Sequence, residues 1–256
     1  MARLPRRLGH AEEATLGEHL EELRGRLFVM LGAIAVGAIF AYFFHTHVLD
    51  WLNRPLPADH KPPVTLGVTE PFTITVMVSI YAGFVLALPI VLWQLWLFFA
   101  PAFDPSAERK VLVLSACGVL LAGAGVAFGY WVLLPRAVHF LTNYDDAQFH
   151  QLIRASSYYS FVVTVLVGVV LVFQTPLVVS GLVSLGILSS RTLRKHRRMG
   201  YLITAAIALA LPGPDPVTTF LELLPMWILF EGSIWLAVLV ERRQARAAPA
   251  SATLGG

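Results

Sequence analysis

Glu22 and Arg26 stand four residues apart in Leu16-Gly17-Glu18-His19-Leu20-Glu21-Glu22-Leu23-Arg24-Gly25-Arg26-Leu27. At that spacing they share one helical face and can pair. Glu108 opens Glu108-Arg109-Lys110 after a loop bounded by Pro101 and Pro105, where the dipole of a starting helix favours a carboxylate. Glu222 and Glu231 lie inside one apolar run, and Gln174 lies inside another. A charge at membrane depth costs at least a few kcal/mol, so each such group needs a partner or a function. Gln174 suits an interhelical hydrogen bond. Glu231 suits a paired or snorkelling carboxylate near the inner interface. Read together, Gln174, Glu222 and Glu231 also suit the intramembrane site of a proton-coupled small-solute transporter.

The chemistry of common enzymes is missing. There is no HExxH, no GxSxG, no phosphate-binding Walker loop and no dinucleotide glycine pattern. His45, His47 and His60 fall in one loop without ligand-like spacing. No catalytic residue, metal or cofactor is expected, and the chain reads as a non-enzyme.

The elements that must position these groups are set by composition. Of 256 residues, 57% are hydrophobic and 14% charged, against about 25% charged in soluble domains. With a mean hydropathy of +0.69, lipid must be the solvent. A helix crosses the hydrocarbon with ~20 apolar residues. The expected spans are 24–44, 71–100, 109–134, 158–188, 197–211 and 217–240, the last two separated by Pro212-Gly213-Pro214-Asp215-Pro216. The fifth is short and must thin the bilayer, borrow from its basic loop or form half of a hairpin. Pro89, Pro176 and Pro225 fall within spans and bend them, which implies a curved, concave wall.

Fifteen lysines and arginines fall in segments assigned to the cytoplasm, from Arg3 through Arg109 and Arg191 to Arg246. Four, namely Arg54, Lys61, Arg136 and Arg154, fall outside. That bias places both termini in the cytoplasm. Residues 1–241 are expected to form one membrane domain and residues 242–256 a disordered tail. The basic clusters orient the protein in its membrane rather than marking a nucleic-acid-binding face.

The ordered motifs resemble the TatC family, the large multi-span subunit of the twin-arginine protein translocase. They are His19-Leu20-Glu21-Glu22-Leu23-Arg24, Arg54-Pro55-Leu56, Glu70-Pro71-Phe72 and Pro89-Ile90-Val91-Leu92-Trp93-Gln94-Leu95-Trp96. Phe98-Phe99-Ala100-Pro101-Ala102, Glu108-Arg109-Lys110, Pro214-Asp215-Pro216 and Pro225 with Glu231 complete the set, which extends over residues 15–241.

The resemblance implies a receptor and core component in the bacterial cytoplasmic (inner) membrane. It would bind twin-arginine signal peptides at its cytoplasmic face and serve proton-motive-force-driven export of folded proteins. Its implied partners are TatA- and TatB-like single-span subunits and further copies within a larger complex. By position, the resemblance implies that Glu22 and Glu108 recognise the arginine pair. It links Arg24, Phe98, Pro55 and Tyr130 to signal-peptide or partner function, and marks Asp215 as an acidic residue of the last outer turn. Gln174 stands where members of the family often carry a glutamate. A carboxylate accepts a guanidinium through paired hydrogen bonds that an ammonium cannot match, so two arginines call for two such acceptors.

Overall fold

The computed structural model describes residues 16–99, 107–144, 151–210 and 216–247. The chain rises through α1 (Leu16–Phe43), turns at Phe44 into the short α2 (His45–Asn53), and returns through α3 (Glu70–Phe99). It rises again through α4 (Ala107–Phe128), a π-helical segment (Gly129–Leu133) and α5 (Leu134–Asn143). It descends through α6 (Ala155–Phe173) and α7 (Thr175–Ser184). A cytoplasmic helix, α8 (Ser190–Lys195), leads to the short rising α9 (Arg197–Ala210), and α10 (Pro216–Ala247) descends last. Among the described residues the only extended pairing is an isolated bridge between Val64 and Arg154.

Five of these passages are long and apolar enough to cross a membrane. The sixth, α9, has 14 residues and covers only ~20 Å at 1.5 Å per residue. The protein is therefore an all-α, multi-pass membrane protein whose fifth passage is short, as its residue pattern implies.

Several boundaries differ from the expected ones. The first passage starts at Leu16 rather than 24, because the amphipathic lead-in carrying Glu22 is continuous with the span. The third runs on to Asn143 rather than ending at 134. Pro135 falls in the first turn of α5, where a missing N–H costs nothing. The fourth starts at Ala155, ahead of the expected 158, and closes at Ser184 rather than 188. A Schellman turn ends it: Gly186 has φ 74°, its N–H bonds Val183 O at 3.0 Å, and Ile187 N–H bonds Leu182 O at 3.0 Å. The last helix continues through Ala247, across the boundary set at residue 241.

The three prolines act differently. Pro89 and Pro225 lie inside the continuous helices α3 and α10. Pro176 instead occupies the first turn of α7, just after the passage breaks at Gln174. That break divides the expected single span into α6 and α7.

Packing is uneven. In the fourth passage 72% of the most apolar window is buried, against 6% in the first. The α6–α7 passage is thus the hub, and α1 is a peripheral helix held mainly by α3. That contact rests on a glycine pair that sequence reading passed over. A Cβ on Gly37 would stand 2.7 Å from Gly83 O, and one on Gly83 would stand 2.3 Å from Ala38 N. Small residues let two backbones touch where no hydrophobic effect drives association.

Candidate functional site

At the cytoplasmic end of α1, Glu22 and Arg26 face α3. Arg26 Nε donates to Glu22 Oε1 at 3.1 Å, its Nη2 makes a closer contact with the same oxygen, and its Nη1 donates to Gln94 Oε1 at 3.3 Å. His19 stacks on Phe98, with ring centroids 4.4 Å apart and planes 20° from parallel. This stack fixes the start of α1 against the last turn of α3. It also sets His19 Nδ1 3.8 Å from Glu22 Oε2.

Glu22 Oε2 is buried and accepts no hydrogen bond among the described residues. The Glu22 side chain is 11% exposed, so this oxygen has little access to water. A buried acceptor left without a donor costs ~1–3 kcal/mol, and more for a charged group. Among the described residues, one carboxylate oxygen is engaged by Arg26 and the other has only the more distant His19 ring beside it.

Glu108 lies in the first turn of α4, and its side chain lies outside the described residues, as does Asp215. Connectivity fixes the neighbourhood of Glu108. Helices α1 and α4 both pack on α3, and the segment joining Phe99 to Ala107 is short. The two helix starts therefore flank one end of α3.

Arg24 and Phe98 do not act alike. Phe98 belongs to the cluster through His19, whereas Arg24 is exposed and lies over the ring of Phe28, 5.7 Å from its centroid.

Pro55 and Tyr130 lie at the opposite end of the molecule. The stretch from Glu22 to Phe43 covers roughly 30 Å at ~1.5 Å per residue, and Pro55 follows α2 beyond it. There Tyr130 stacks on Trp51, with centroids 3.7 Å apart, and its hydroxyl donates to Trp51 O at 2.8 Å. Tyr158 donates to Leu52 O at 2.7 Å, and Tyr159 to Asn53 Oδ1 at 2.9 Å. Three tyrosines thus clasp the C-terminal end of α2: two donate to the carbonyls of Trp51, which also accepts Arg54 N–H, and Leu52, and the third donates to the Asn53 side chain. Tyr130 reaches it from the π-helical segment, whose wider turn re-aims the side chains that follow. Tyr130 thus belongs to an outer cap, with Pro55 two residues beyond the end of α2, apart from the cytoplasmic cluster around Glu22.

The same outer layer contains Glu70, whose role sequence reading missed. Its Oε2 accepts from Leu66 N–H at 2.8 Å and Gly67 N–H at 3.1 Å, and its Oε1 from Arg154 Nε and Ser156 N–H, both at 3.0 Å. The only hint in the sequence is a carboxylate directly before Pro71 at a helix start.

The intramembrane polar residues are not gathered into one site. Gln174 donates from Nε2 to Gly118 O at 3.3 Å, the interhelical bond its position suggests. Glu231 accepts from the Tyr201 hydroxyl and pairs with Arg197 Nη2 at 3.2 Å, joining α10 to α9. Glu222 precedes Glu231 by roughly 13 Å along α10 and borders a small cavity with Phe128, Phe173 and Met226. Glu231 is thus a structural link between helices, and the residues do not assemble a solute pocket among the described ones. At the cytoplasmic end, Glu241 accepts the N–H of Ser190 at 2.6 Å and its hydroxyl as well, which ties α8 to α10.

The apolar passages define a polytopic helical membrane protein that carries a cluster of charged and aromatic side chains at its cytoplasmic end. Comparison with known proteins sharpens that class. The family profile described as Sec-independent protein translocase protein (TatC) matches residues 18–225. The chain is 36% identical to the TatCd protein of Bacillus subtilis (strain 168), over 94% of this chain and 98% of that one. It is 31% identical to the TatC protein of Aquifex aeolicus (strain VF5), over 90% and 97%. A crystal structure of a twin-arginine translocase receptor, TatC, superposes with a TM-score of 0.76 at 30% identity, covering 87% of this chain and 99% of that one. The chain belongs to the TatC family, as a multi-pass component of a Sec-independent protein translocase in the inner membrane.

Proposed function

We propose that this chain is the signal-peptide receptor of its translocase, and that Glu22 and Glu108 read the paired guanidiniums of a twin-arginine signal peptide. The observation that carries the reading is the buried Oε2 of Glu22, which accepts no hydrogen bond among the described residues. An incoming guanidinium supplies the missing donors in the planar geometry a carboxylate accepts best. Arg26 already shows the mode of contact on the other oxygen, and Gln94 offers its guanidinium a second acceptor when the peptide arrives. Glu108, in the first turn of the neighbouring α4, takes the second arginine. Phe98 holds the platform through His19.

Pro55 and Tyr130 serve this function from the outer end of the helices. The chain supplies recognition and scaffold. TatA- and TatB-like single-span subunits, together with further copies of this chain, supply the passage for folded cargo under the proton-motive force. This is a binding and scaffolding role rather than catalysis.

The test is binding of a twin-arginine signal peptide to the solubilised protein, with a twin-lysine peptide as control. Wild type is expected to prefer arginine by at least ~10-fold, the ratio set by ~1.4 kcal/mol of charge-assisted bonding. Glu22→Ala and Glu108→Ala are each expected to abolish that preference. Equal binding of both peptides by wild type would overturn the reading.

A further inference from the structure

The helices enclose a recess that the receptor reading does not use. A cavity of about 440 Å³ opens between the third passage, Phe173 and α10, lined by Phe128, Val132, Phe173, Leu224, Pro225 and Ile228. Its one charged lining residue is Arg136. From Val111 to Arg136 the third passage covers about 38 Å at ~1.5 Å per residue, beyond the ~30 Å of hydrocarbon. The guanidinium therefore sits at the level of the outer headgroups. Leu224 and Ile228 lie roughly 12–18 Å along α10 from its outer end at Pro216, so the cavity runs inward from the guanidinium along the direction of an acyl chain.

Arg136 has donors to spare. Its Nη1 bonds Val132 O of its own passage at 3.1 Å, and no carboxylate among the described residues pairs with it. Two other outer cations are engaged elsewhere: Arg154 holds Glu70 at 3.0 Å, and Lys61 donates to Arg54 O at 3.3 Å. A guanidinium without a carboxylate partner among the described residues, at the mouth of an apolar cavity, complements an anionic head on a hydrocarbon tail. The size agrees, since a helix about 10 Å wide displaces on the order of 1,000 Å³ over three turns, more than the cavity holds.

We propose that this recess binds an anionic phospholipid of the outer leaflet, with its phosphate on Arg136 and one acyl chain between Phe128, Phe173 and α10. The lipid wedges the third passage apart from α10 and fills space that side chains leave empty. The site stands on its own geometry and holds whether or not Glu22 reads arginine.

The test uses the full chain reconstituted in vesicles of equimolar phosphatidylglycerol and phosphatidylcholine, then extracted gently for native mass spectrometry of retained lipid. Wild type is expected to retain phosphatidylglycerol about fivefold over phosphatidylcholine, the ratio that ~1 kcal/mol per surface cation gives. Arg136→Gln is expected to bring that ratio to parity. Leu224→Trp, at an exposed lining position, is expected to remove the retained lipid of either kind without loss of fold. Equal retention of both lipids by wild type, or a preference that survives Arg136→Gln, overturns the proposal. A photocrosslinker in place of Ile228 separates the occupants. Lipid adducts support the site, whereas adducts to a polypeptide, either a second copy or a partner helix, overturn it.

Discussion

The imidazole of His19 and the ring of Phe98 stack 4.4 Å apart, 20° from parallel, across the interface of α1 and α3. This contact lies one helical turn before Glu22 and fixes the orientation of its carboxylate. In the receptor proposed above, Phe98 acts on recognition through His19 rather than by touching the peptide. Phe98→Ala is expected to weaken twin-arginine peptide binding by about tenfold, given ~0.5–1.5 kcal/mol for a ring pair. Phe98→Tyr, which keeps the stack, is expected to restore it. Unchanged binding by Phe98→Ala would show that Arg26, itself anchored on Gln94, orients Glu22 without the ring stack.

The crossing of α1 and α3 tolerates no added carbon. A Cβ on Gly83 would stand 2.3 Å from the backbone of Ala38, and backbone cannot move aside as a side chain can. Gly83→Ala is expected to cost about 1–3 kcal/mol, and Gly83→Val more. Thermal unfolding in detergent checks the cost. Protease access to the N-terminal segment is expected to rise in parallel, because α1 has little other support.

Glu70 is satisfied on both oxygens by four donors from two separated segments. Glu70→Ala leaves three backbone N–H groups without their acceptor and is expected to destabilise the protein by about 2–4 kcal/mol. Glu70→Gln retains acceptance at one oxygen and is expected to cost about half as much. Arg154 is half exposed, so Arg154→Ala is expected to cost under ~1 kcal/mol. The order of the three melting temperatures is the measurement.

Gln174 bonds Gly118 O between α6–α7 and α4. Interhelical bonds of this kind average ~0.6 kcal/mol, so Gln174→Leu is expected to lower stability by about 1 kcal/mol or less. Signal-peptide binding is expected to be unchanged, because the amide carries no charge to lose. Loss of binding in this variant would assign Gln174 a direct part in recognition.

Much of the architecture was legible because membrane physics leaves few choices. Apolar runs set the passages, and lysine and arginine set the orientation. The boundaries were less legible. Polar residues such as Glu22 and His19 extend a helix beyond the hydrocarbon without changing its hydropathy signal. The break at Gln174 arises where α6 and α7 both pack against α4 and α10, a tertiary condition that a local proline alone does not determine.

The site divides in the same way. Glu22 was legible through its motif and its i,i+4 partner. The contacts of its neighbours, Arg26 with Gln94 and His19 with Phe98, span some seventy residues of sequence, and no local pattern encodes them. Tyr130 and Pro55 were assigned to function from position alone. Only the folded chain shows that Tyr130 shares an outer cap with Tyr158 and Tyr159.

That cap has a consequence for how the chain is made. The carbonyls at the end of α2 receive their donors from tyrosines 79 and 106 residues further along. While the ribosome is still delivering the middle of the protein, the first hairpin has entered the bilayer but its outer tip has no clasp. The fourth passage must arrive before the first two are locked, so a chain truncated ahead of Tyr158 would insert and yet remain open to the quality-control proteases of the membrane.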